Sequence, residues 1–172
     1  MQIKLIPATA RDLDDISPFL RAGIDAGFPS RSEAAAVLGE IVALLDQCEA
    51  APIWASFWAV AQPGDAAVGL CGYKGPPGPD GFVEIAYFTF PRQEGRGVAT
   101  AMAGALIDTA RAQGAAAACA HTLREENASV AILRKLGFAL VGEAEDPDDG
   151  TVWRWELAPP GRRRPERRCT TM

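Results

Sequence analysis

The chain has 172 residues, of which 48% are hydrophobic, and its formal net charge is −5. This length and content fit a single domain with a full apolar core, and no run is long and apolar enough to cross a membrane. The acidic balance argues against nucleic acid as the main partner, and the first residues lack the basic lead and apolar centre of a signal peptide.

The first half of the chain predicts a strand, two helices and a hairpin. Residues 3–7 alternate between apolar and polar side chains, as a strand does. Thr9 is placed to cap a first helix, and Ser30 or Ser32 to cap a second helix with an apolar face. Two strand-forming runs follow, separated by the turn residues Gln-Pro-Gly-Asp: residues 54–60 and 68–73.

The central stretch predicts a strand, a glycine-rich turn and a helix. Residues 84–90 are apolar and aromatic with Glu84 as the only charge, and a polar connection leads to a helix that Gly114 ends. Gly95 and Gly97 stand at the joint, where glycine lets a backbone approach a ligand closely. The first N–H groups of a helix have no internal partner, so this unit predicts an anion site, with phosphate as the commonest guest.

The last third predicts a strand, a helix and two strands. Residues 115–122 form a small-residue strand after Gly114, and Asn127 opens a helix that Gly137 ends. Two strands follow, divided by an acidic turn. The element order is then β-α-α-β-β-β-α-β-α-β-β, which is an α/β fold with a mixed sheet and helices on both faces.

A basic segment closes the sequence. Residues 161–168 carry five arginines against one glutamate, a local charge of +4 that leaves −9 on the rest of the chain. This segment has nothing apolar to bury, so we expect a disordered tail at residues 159–172 after a domain at residues 1–158. Binding of the tail to RNA or to a membrane surface is the alternative.

The cysteines and the single histidine point to a reduced, metal-free protein. Cys48, Cys71, Cys119 and Cys169 are widely spaced, and no pair has metal-ligand spacing. With His121 as the one histidine, we expect buried free thiols, a cytoplasmic location and no structural metal.

Two motifs together resemble the GNAT superfamily of acyl-CoA-dependent N-acetyltransferases. The run Glu94-Gly95-Arg96-Gly97-Val98-Ala99 is similar to the pyrophosphate loop Gln/Arg-x-x-Gly-x-Gly/Ala, with Glu94 in place of the first residue. Asn127 and Ser129, followed by Leu-x-Lys-x-Gly-Phe at residues 133–138, resemble a second signature of the family. The form of this ending looks most like the subgroup that includes the ribosomal-protein N-terminal acetyltransferases.

The resemblance implies the GNAT fold, a mostly antiparallel sheet of six to seven strands, and acetyl-CoA as co-substrate. The pantetheine arm is expected beside the end of the central strand, and the pyrophosphate on backbone N–H groups where the following helix begins. Since that loop binds through backbone groups, we expect phosphate binding to tolerate Glu94. The expected cofactor-binding residues are Phe88, Thr89, Phe90, Gly95, Arg96, Gly97, Val98, Ala99, Thr100 and Asn127.

The implied reaction is direct attack of a neutral amine on the acetyl thioester. Glu84 is the candidate base, since some family members carry a catalytic glutamate near that point. The acid is open, because Leu133 stands where many relatives have a tyrosine. Tyr73 and Tyr87 lie on strands, where an aromatic residue is more often core, and water or the departing ammonium are alternatives. His121 and Cys119 are expected on the strand opposite the cofactor cleft, and we assign them no catalytic role.

The acceptor is then a small amine or a protein N-terminus, and polyamines, antibiotics and metabolites all remain open. The main alternative is a non-catalytic acyl-CoA-binding or regulatory module on the same fold. A nucleic-acid-associated protein that uses the arginine tail is a weaker one. Trp153 and Trp155 of the last strand can support the edge of a homodimer.

Overall fold

The computed structural model describes residues 1–8, 21, 27–45, 52–147 and 149–158. The first predicted helix, from Thr9, and the arginine tail lie outside these residues, as do Cys48 and Cys169. Within the described part the mixed α/β fold is confirmed, as a sheet of seven strands with helices. No described helix is long and apolar enough to span a membrane.

The elements are numbered in chain order within the described residues. The seven strands are β1 Gln2–Pro7, β2 Ser56–Gln62, β3 Ala67–Tyr73, β4 Phe82–Thr89, β5 Ala117–Thr122, β6 Ala139–Asp146 and β7 Gly150–Leu157. The helices are α1 Arg31–Leu45, α2 Val98–Ala112 and α3 Ala128–Lys135, with short 3-10 turns at Pro52–Trp54 and Pro91–Gln93.

The sheet runs in the order β1-β2-β3-β4-β5-β7-β6. All its neighbours are antiparallel except β4 and β5, which are parallel because α2 crosses between them. β7 therefore lies inside the sheet, and Trp155 is buried with its indole N–H donating to Thr122 Oγ1 at 3.0 Å. The idea that Trp153 and Trp155 form a dimer edge is wrong, since the edge strands are β1 and β6.

Local chemistry fixes the helix ends where the sequence predicted them. Ser30 Oγ accepts a hydrogen bond from the Glu33 N–H at 3.2 Å and so caps α1. Gly114 and Gly137 end α2 and α3 with φ values of +85° and +87°. At each glycine two backbone bonds close the last turn in the Schellman pattern, for which a left-handed residue is needed.

The predicted limits of three strands need correction, and one of these is β5, which begins at Ala117 and not at residue 115. β4 begins at Phe82, not at Glu84, because the preceding loop closes early: the Phe82 N–H donates to Asp80 Oδ1 at 3.1 Å. Glu84 is therefore inside the strand. Trp54, predicted as the start of β2, belongs to the 3-10 turn before it.

Two apolar clusters cover opposite faces of the sheet. The larger joins Ile85 of β4 to Leu106 of α2 and Leu133 of α3, and the smaller joins Leu70 of β3 to Leu38 of α1. Each fully buried side chain of this size contributes about 1.5–3 kcal/mol relative to exposure. The two clusters hold the sheet rigidly between helices, which fixes the position of β4.

β4 and β5 pair over three residues only and then separate. The parallel register links Phe82 to Ala117, Val83 to Ala118 and Glu84 to Cys119. Beyond this point β4 continues to Thr89 on the ladder of β3 alone, and both strands are described in full. One edge of β4 thus presents unpaired backbone groups to a gap inside the sheet, where an extended ligand can bind as an added strand.

Candidate active site

A cleft of about 550 Å³ lies along the part of β4 that is not paired with β5. Its walls are the end of β4 at residues 87–89, the turn at residues 93–97, the start of α2 and the first turns of α3. Of the predicted cofactor-binding residues, seven line it: Phe88, Thr89, Gly95, Gly97, Val98, Ala99 and Thr100.

Three of the predicted cofactor-binding residues lie outside the lining of this cleft. Phe90 is fully buried in the smaller apolar cluster, with its ring 5.6 Å from that of Phe28. Arg96 is exposed, and its guanidinium lies 3.4 Å from the side-chain oxygen of Gln93. Asn127 caps α3, since its Oδ1 accepts from the Val130 N–H at 3.0 Å. Asn127 therefore fixes the helix whose residues 128–132 form one wall.

The glycine turn fits an anionic group. Gly95 and Gly97 have φ values of +70° and +80°, and a Cβ at either position would meet no atom within 4 Å. Gly97 begins α2 without a side-chain cap, and the first turn carries no acidic residue. The unpaired N–H groups and the positive helix end therefore face the open cleft.

Tyr87 of β4 and Ser129 of α3 both line the cleft. Burial raises the pKa of Tyr87, and the neighbouring Ser129 hydroxyl offsets part of this rise. The phenol is therefore protonated at neutral pH and is a proton donor inside the cleft.

Glu84 lies on the other face of β4 in a group of charged side chains. Its Oε1 is 2.9 Å from His121 Nδ1 and 3.1 Å from Lys74 Nζ. Lys74 Nζ is also 3.2 Å from Asp146 Oδ2. The side chains of Glu84 and His121 are only 22% and 15% exposed, so these contacts are partly shielded from water.

The charge state of this group follows from its contacts. Burial by itself raises the pKa of Glu84, but the hydrogen bond to His121 and the charge of Lys74 outweigh it, so the pKa lies below its ordinary value. Burial lowers the pKa of Lys74, but Glu84 and Asp146 reverse this, so it lies above its ordinary value. At neutral pH Glu84 is a carboxylate and Lys74 an ammonium ion.

A second cavity of about 490 Å³ opens on this charged face. Lys74, Asp80, Glu84, Cys119 and Arg154 are among the residues that line it. Arg154 is held by Glu156 at 3.0 Å and by Asp80 at 3.5 Å. No group of three or more His, Cys, Asp or Glu side chains able to hold a metal ion occurs in the described residues.

The thiols near the site are poor nucleophiles. Cys71 and Cys119 are free and buried, and Cys119 is only 4% exposed. Burial raises the pKa of Cys119 to about 11 and that of Cys71 still higher. Both thiols are therefore protonated at neutral pH.

Sequence reasoning missed the contact between Glu84 and His121. The signal was present in part, because side chains two residues apart on a strand share a face. Glu84 pairs with Cys119, so the His121 side chain lies on the same face of the sheet as Glu84. This follows only once the parallel register of β4 and β5 is known. Lys74 and Asp146 come from the ends of β3 and β6, and no local pattern marks them.

Comparison with known families and structures gives a consistent result. A family model described as an acetyltransferase (GNAT) domain matches residues 2–139. A search of curated proteins gives no match.

Solved structures share the fold at low identity. The chimera of spermidine N-acetyltransferase SpeG from Vibrio cholerae and hSSAT is 15% identical with a TM-score of 0.63, over 92% of this chain and 96% of that one. Ribosomal-protein-S5-alanine acetyltransferase from Vibrio fischeri is 17% identical with a TM-score of 0.64, over 94% and 95%. Phosphinothricin acetyltransferase from Sinorhizobium meliloti, in complex with AcCoA, is 19% identical with a TM-score of 0.58, over 96% and 95%.

We predict that Glu84 makes stability depend on pH in the acid range. Its folded pKa is lowered, so its stabilisation is complete above its unfolded pKa of about 4.3 and is lost as the pH falls through the folded value. The Glu84→Gln variant should be less stable by about 1–2 kcal/mol at neutral pH. This difference should shrink below about pH 4.3.

Urea unfolding at a series of pH values measures this difference. Glu143→Gln is the control, because Glu143 is 49% exposed in a surface pair with Arg124 and should change stability by less than about 1 kcal/mol. A stability difference for Glu84→Gln that stays constant down to about pH 3 contradicts the assignment.

Proposed function

The chain belongs to the GNAT family of acetyltransferases, which use acetyl-CoA as co-substrate, and we propose that it acetylates a primary amine by direct attack within a ternary complex. The observation that supports this most is the cleft in which the free edge of β4 meets the glycine turn before α2. An extended arm and an anionic group can be bound there together. We take residues 1–158 as the catalytic domain.

The pantetheine arm has a binding surface on the end of β4. Its amides can pair with the unpaired backbone groups beyond Glu84, as an added strand does. Thr89 Oγ1 is buried and has no hydrogen-bond partner among the described residues, so it can bond a polar group of the arm. Phe88 and Thr89 line the cleft, while the buried Phe90 holds the end of the strand in place.

The pyrophosphate then lies at the start of α2. The N–H groups from Gly95 to Thr100 are the donors, in the geometry that helix starts offer to anions. Arg96 is exposed beside them and adds positive charge, while Glu94 lines the cleft and opposes it. Asn127 contributes indirectly, by capping the helix that forms the facing wall.

The acceptor must lose a proton before it attacks. We place this step at Glu84 and the side chains bonded to it, because they form the charged group beside the gap between β4 and β5. The acceptor class is a primary amine on a small molecule or at a protein N-terminus. The structural neighbours are named for both kinds, spermidine and the alanine of a ribosomal protein.

Direct attack needs no protein nucleophile. The thiols of Cys71 and Cys119 are buried and protonated, so an acetylated-enzyme route lacks an activated group among the described cysteines.

We expect Gly97→Ala to weaken acetyl-CoA binding at least about tenfold. A side chain at Gly97 costs about 1–2 kcal/mol in a left-handed residue and projects into the cleft where the pyrophosphate is placed. Gly114→Ala is the matched control, since Gly114 has a φ of +85° at the other end of α2 with equally open space around its Cβ.

Calorimetry with acetyl-CoA on the three proteins measures this difference. Gly114→Ala should bind within about twofold of the wild type, because it carries the same backbone strain without the contact. Absence of binding to the wild type, or equal losses in both variants, rules out the proposed cofactor site.

Initial rates should show that both substrates bind before any product leaves. With spermidine or an amino-terminal alanine peptide as the probe amine, reciprocal plots against acetyl-CoA should intersect. Incubation with acetyl-CoA alone should leave the mass of the protein unchanged. Parallel lines together with a mass increase of one acetyl group would establish an acetylated enzyme instead.

Tyr87 is our candidate for the acid that protonates the departing thiolate. Its phenol lies in the cleft and is protonated at neutral pH. Tyr87→Phe should lower kcat by about 100-fold and remove the basic limb of the pH–rate profile, with acetyl-CoA affinity unchanged.

Tyr73→Phe is the control for this substitution. The Tyr73 hydroxyl is buried and donates to the Leu106 carbonyl at 2.7 Å, away from the cleft. This variant should lose about 1 kcal/mol of stability and keep the wild-type profile. A Tyr87→Phe enzyme that retains the basic limb would exclude Tyr87 as the acid.

A further inference from the structure

We propose that the atom that takes the proton of the amine is Nε2 of His121, and that Glu84 is a positioning residue for the imidazole ring. This inference rests on the proposed function and names the proton acceptor within it. His121 is the only histidine in the chain. Three features of His121 support this role: its tautomer, the burial of Nε2 and its place beside the gap between β4 and β5.

The tautomer follows from the contact with Glu84. Glu84 is ionised at neutral pH, and a carboxylate oxygen only accepts hydrogen bonds. Nδ1 of His121, at 2.9 Å from this oxygen, must therefore carry the proton. In the neutral ring Nε2 then holds a lone pair, which is the arrangement that a general base needs.

Burial leaves this lone pair unused by the protein. Nε2 of His121 is buried and has no hydrogen-bond partner among the described residues. A buried polar atom without a partner costs about 1–3 kcal/mol, so such atoms call for an explanation. An amine donor placed against Nε2 explains it.

The position of His121 fits an acceptor that enters the gap. His121 lies two residues past Cys119, which is the last residue of β5 paired with β4. It therefore stands where the strands have separated, opposite the free edge of β4.

The charges around the ring favour this role. Lys74, which directly follows β3, stabilises the Glu84 carboxylate and is itself paired with Asp146 of β6. Arg154 of β7 is directly opposite His121 in the sheet, but its guanidinium is held by Glu156 and Asp80. When the ring is protonated, Glu84 neutralises its positive charge.

Glu84 itself is less suited to act as the base. Its Oε1 already accepts a hydrogen bond from His121 and forms an ion pair with Lys74, and its lowered pKa makes it a weak proton acceptor near neutral pH. Glu84 therefore orients the ring through its contact with Nδ1.

The protons balance in this scheme. His121 takes one proton from the acceptor ammonium, and the neutral amine then forms the C–N bond to the acetyl carbon as the C–S bond breaks. Tyr87 gives its proton to the thiolate and is restored by the second proton that the amine nitrogen loses. His121 releases its proton to solvent, so each turnover yields amide, free thiol and one proton.

Nitrogen-15 NMR of the imidazole tests the tautomer directly. A single histidine gives a single set of ring signals, so the full-length protein needs no assignment. At about pH 8 the spectrum should show a proton on Nδ1 and none on Nε2, and Glu84→Gln should reduce this preference. A proton on Nε2 in the wild type overturns the proposal whether or not any acceptor is known.

Rate profiles test the catalytic role, with spermidine and an amino-terminal alanine peptide as the probe amines. His121→Gln should lower kcat/KM for the amine by about 100- to 1,000-fold and abolish the acidic limb of the pH–rate profile, with acetyl-CoA affinity unchanged. Glu84→Gln should lower kcat/KM by about 10- to 100-fold and keep the acidic limb of the profile. Arg124→Gln, in the exposed pair with Glu143, is the control and should match the wild type.

Loss of the acidic limb in Glu84→Gln, with its retention in His121→Gln, would make Glu84 the base and overturn the proposal. Full activity of His121→Gln would overturn it also, while leaving the proposed function intact. A wild-type protein that binds acetyl-CoA but acetylates neither probe overturns the proposed function for these amines, together with this inference. The NMR measurement of the tautomer distinguishes a failure of this inference from a failure of the proposed function, because it needs no turnover.

Discussion

The early separation of β4 from β5 is the constraint on which the site depends. A parallel pair inside a sheet ordinarily bonds along its whole length, yet this one stops after three residues. β3 and the apolar clusters on both faces hold β4 in place without its second neighbour. Where the two strands are not paired, the edge of β4 presents backbone donors and acceptors that an extended ligand can satisfy as an added strand would. Both the cleft and the charged group are arranged around that edge.

The sheet also divides the chemistry into two environments. The cleft is lined mainly by apolar groups, hydroxyls and backbone amides, which suits a long flexible thioester with a phosphate end. The opposite face carries interlocked charges around Glu84, which suits a cationic amine and the movement of its proton. Because the two faces meet only at the gap, the reacting groups can be brought together there while each substrate keeps the surroundings that it needs.

Much of the fold could be predicted from short-range signals, because the residues that end helices and turn strands act within a few positions. Gly114, Gly137 and Asn127 specify their helix ends through bonds to residues three to five positions away. The glycine turn was predicted on the same grounds. The charged group was not, because Glu84 and His121 lie on different strands, Lys74 follows a third, and they meet only through the sheet register. The prediction that the last strand forms a dimer edge was wrong for the same reason. Strand order depends on long-range contacts, and these place β7 in the interior of the sheet.

The capping bond of Asn127 has a thermodynamic consequence. Helix α3 has only eight residues, too few to be stable by itself, so it depends on its cap and on packing against the sheet. The same helix forms one wall of the cleft, opposite the residues of β4 that line it. Local unfolding of α3 and ligand occupancy of the cleft are therefore linked equilibria. We therefore expect a ligand in the cleft to slow amide exchange in this helix, and we expect a change that loosens its first turn to lower affinity without touching the ligand.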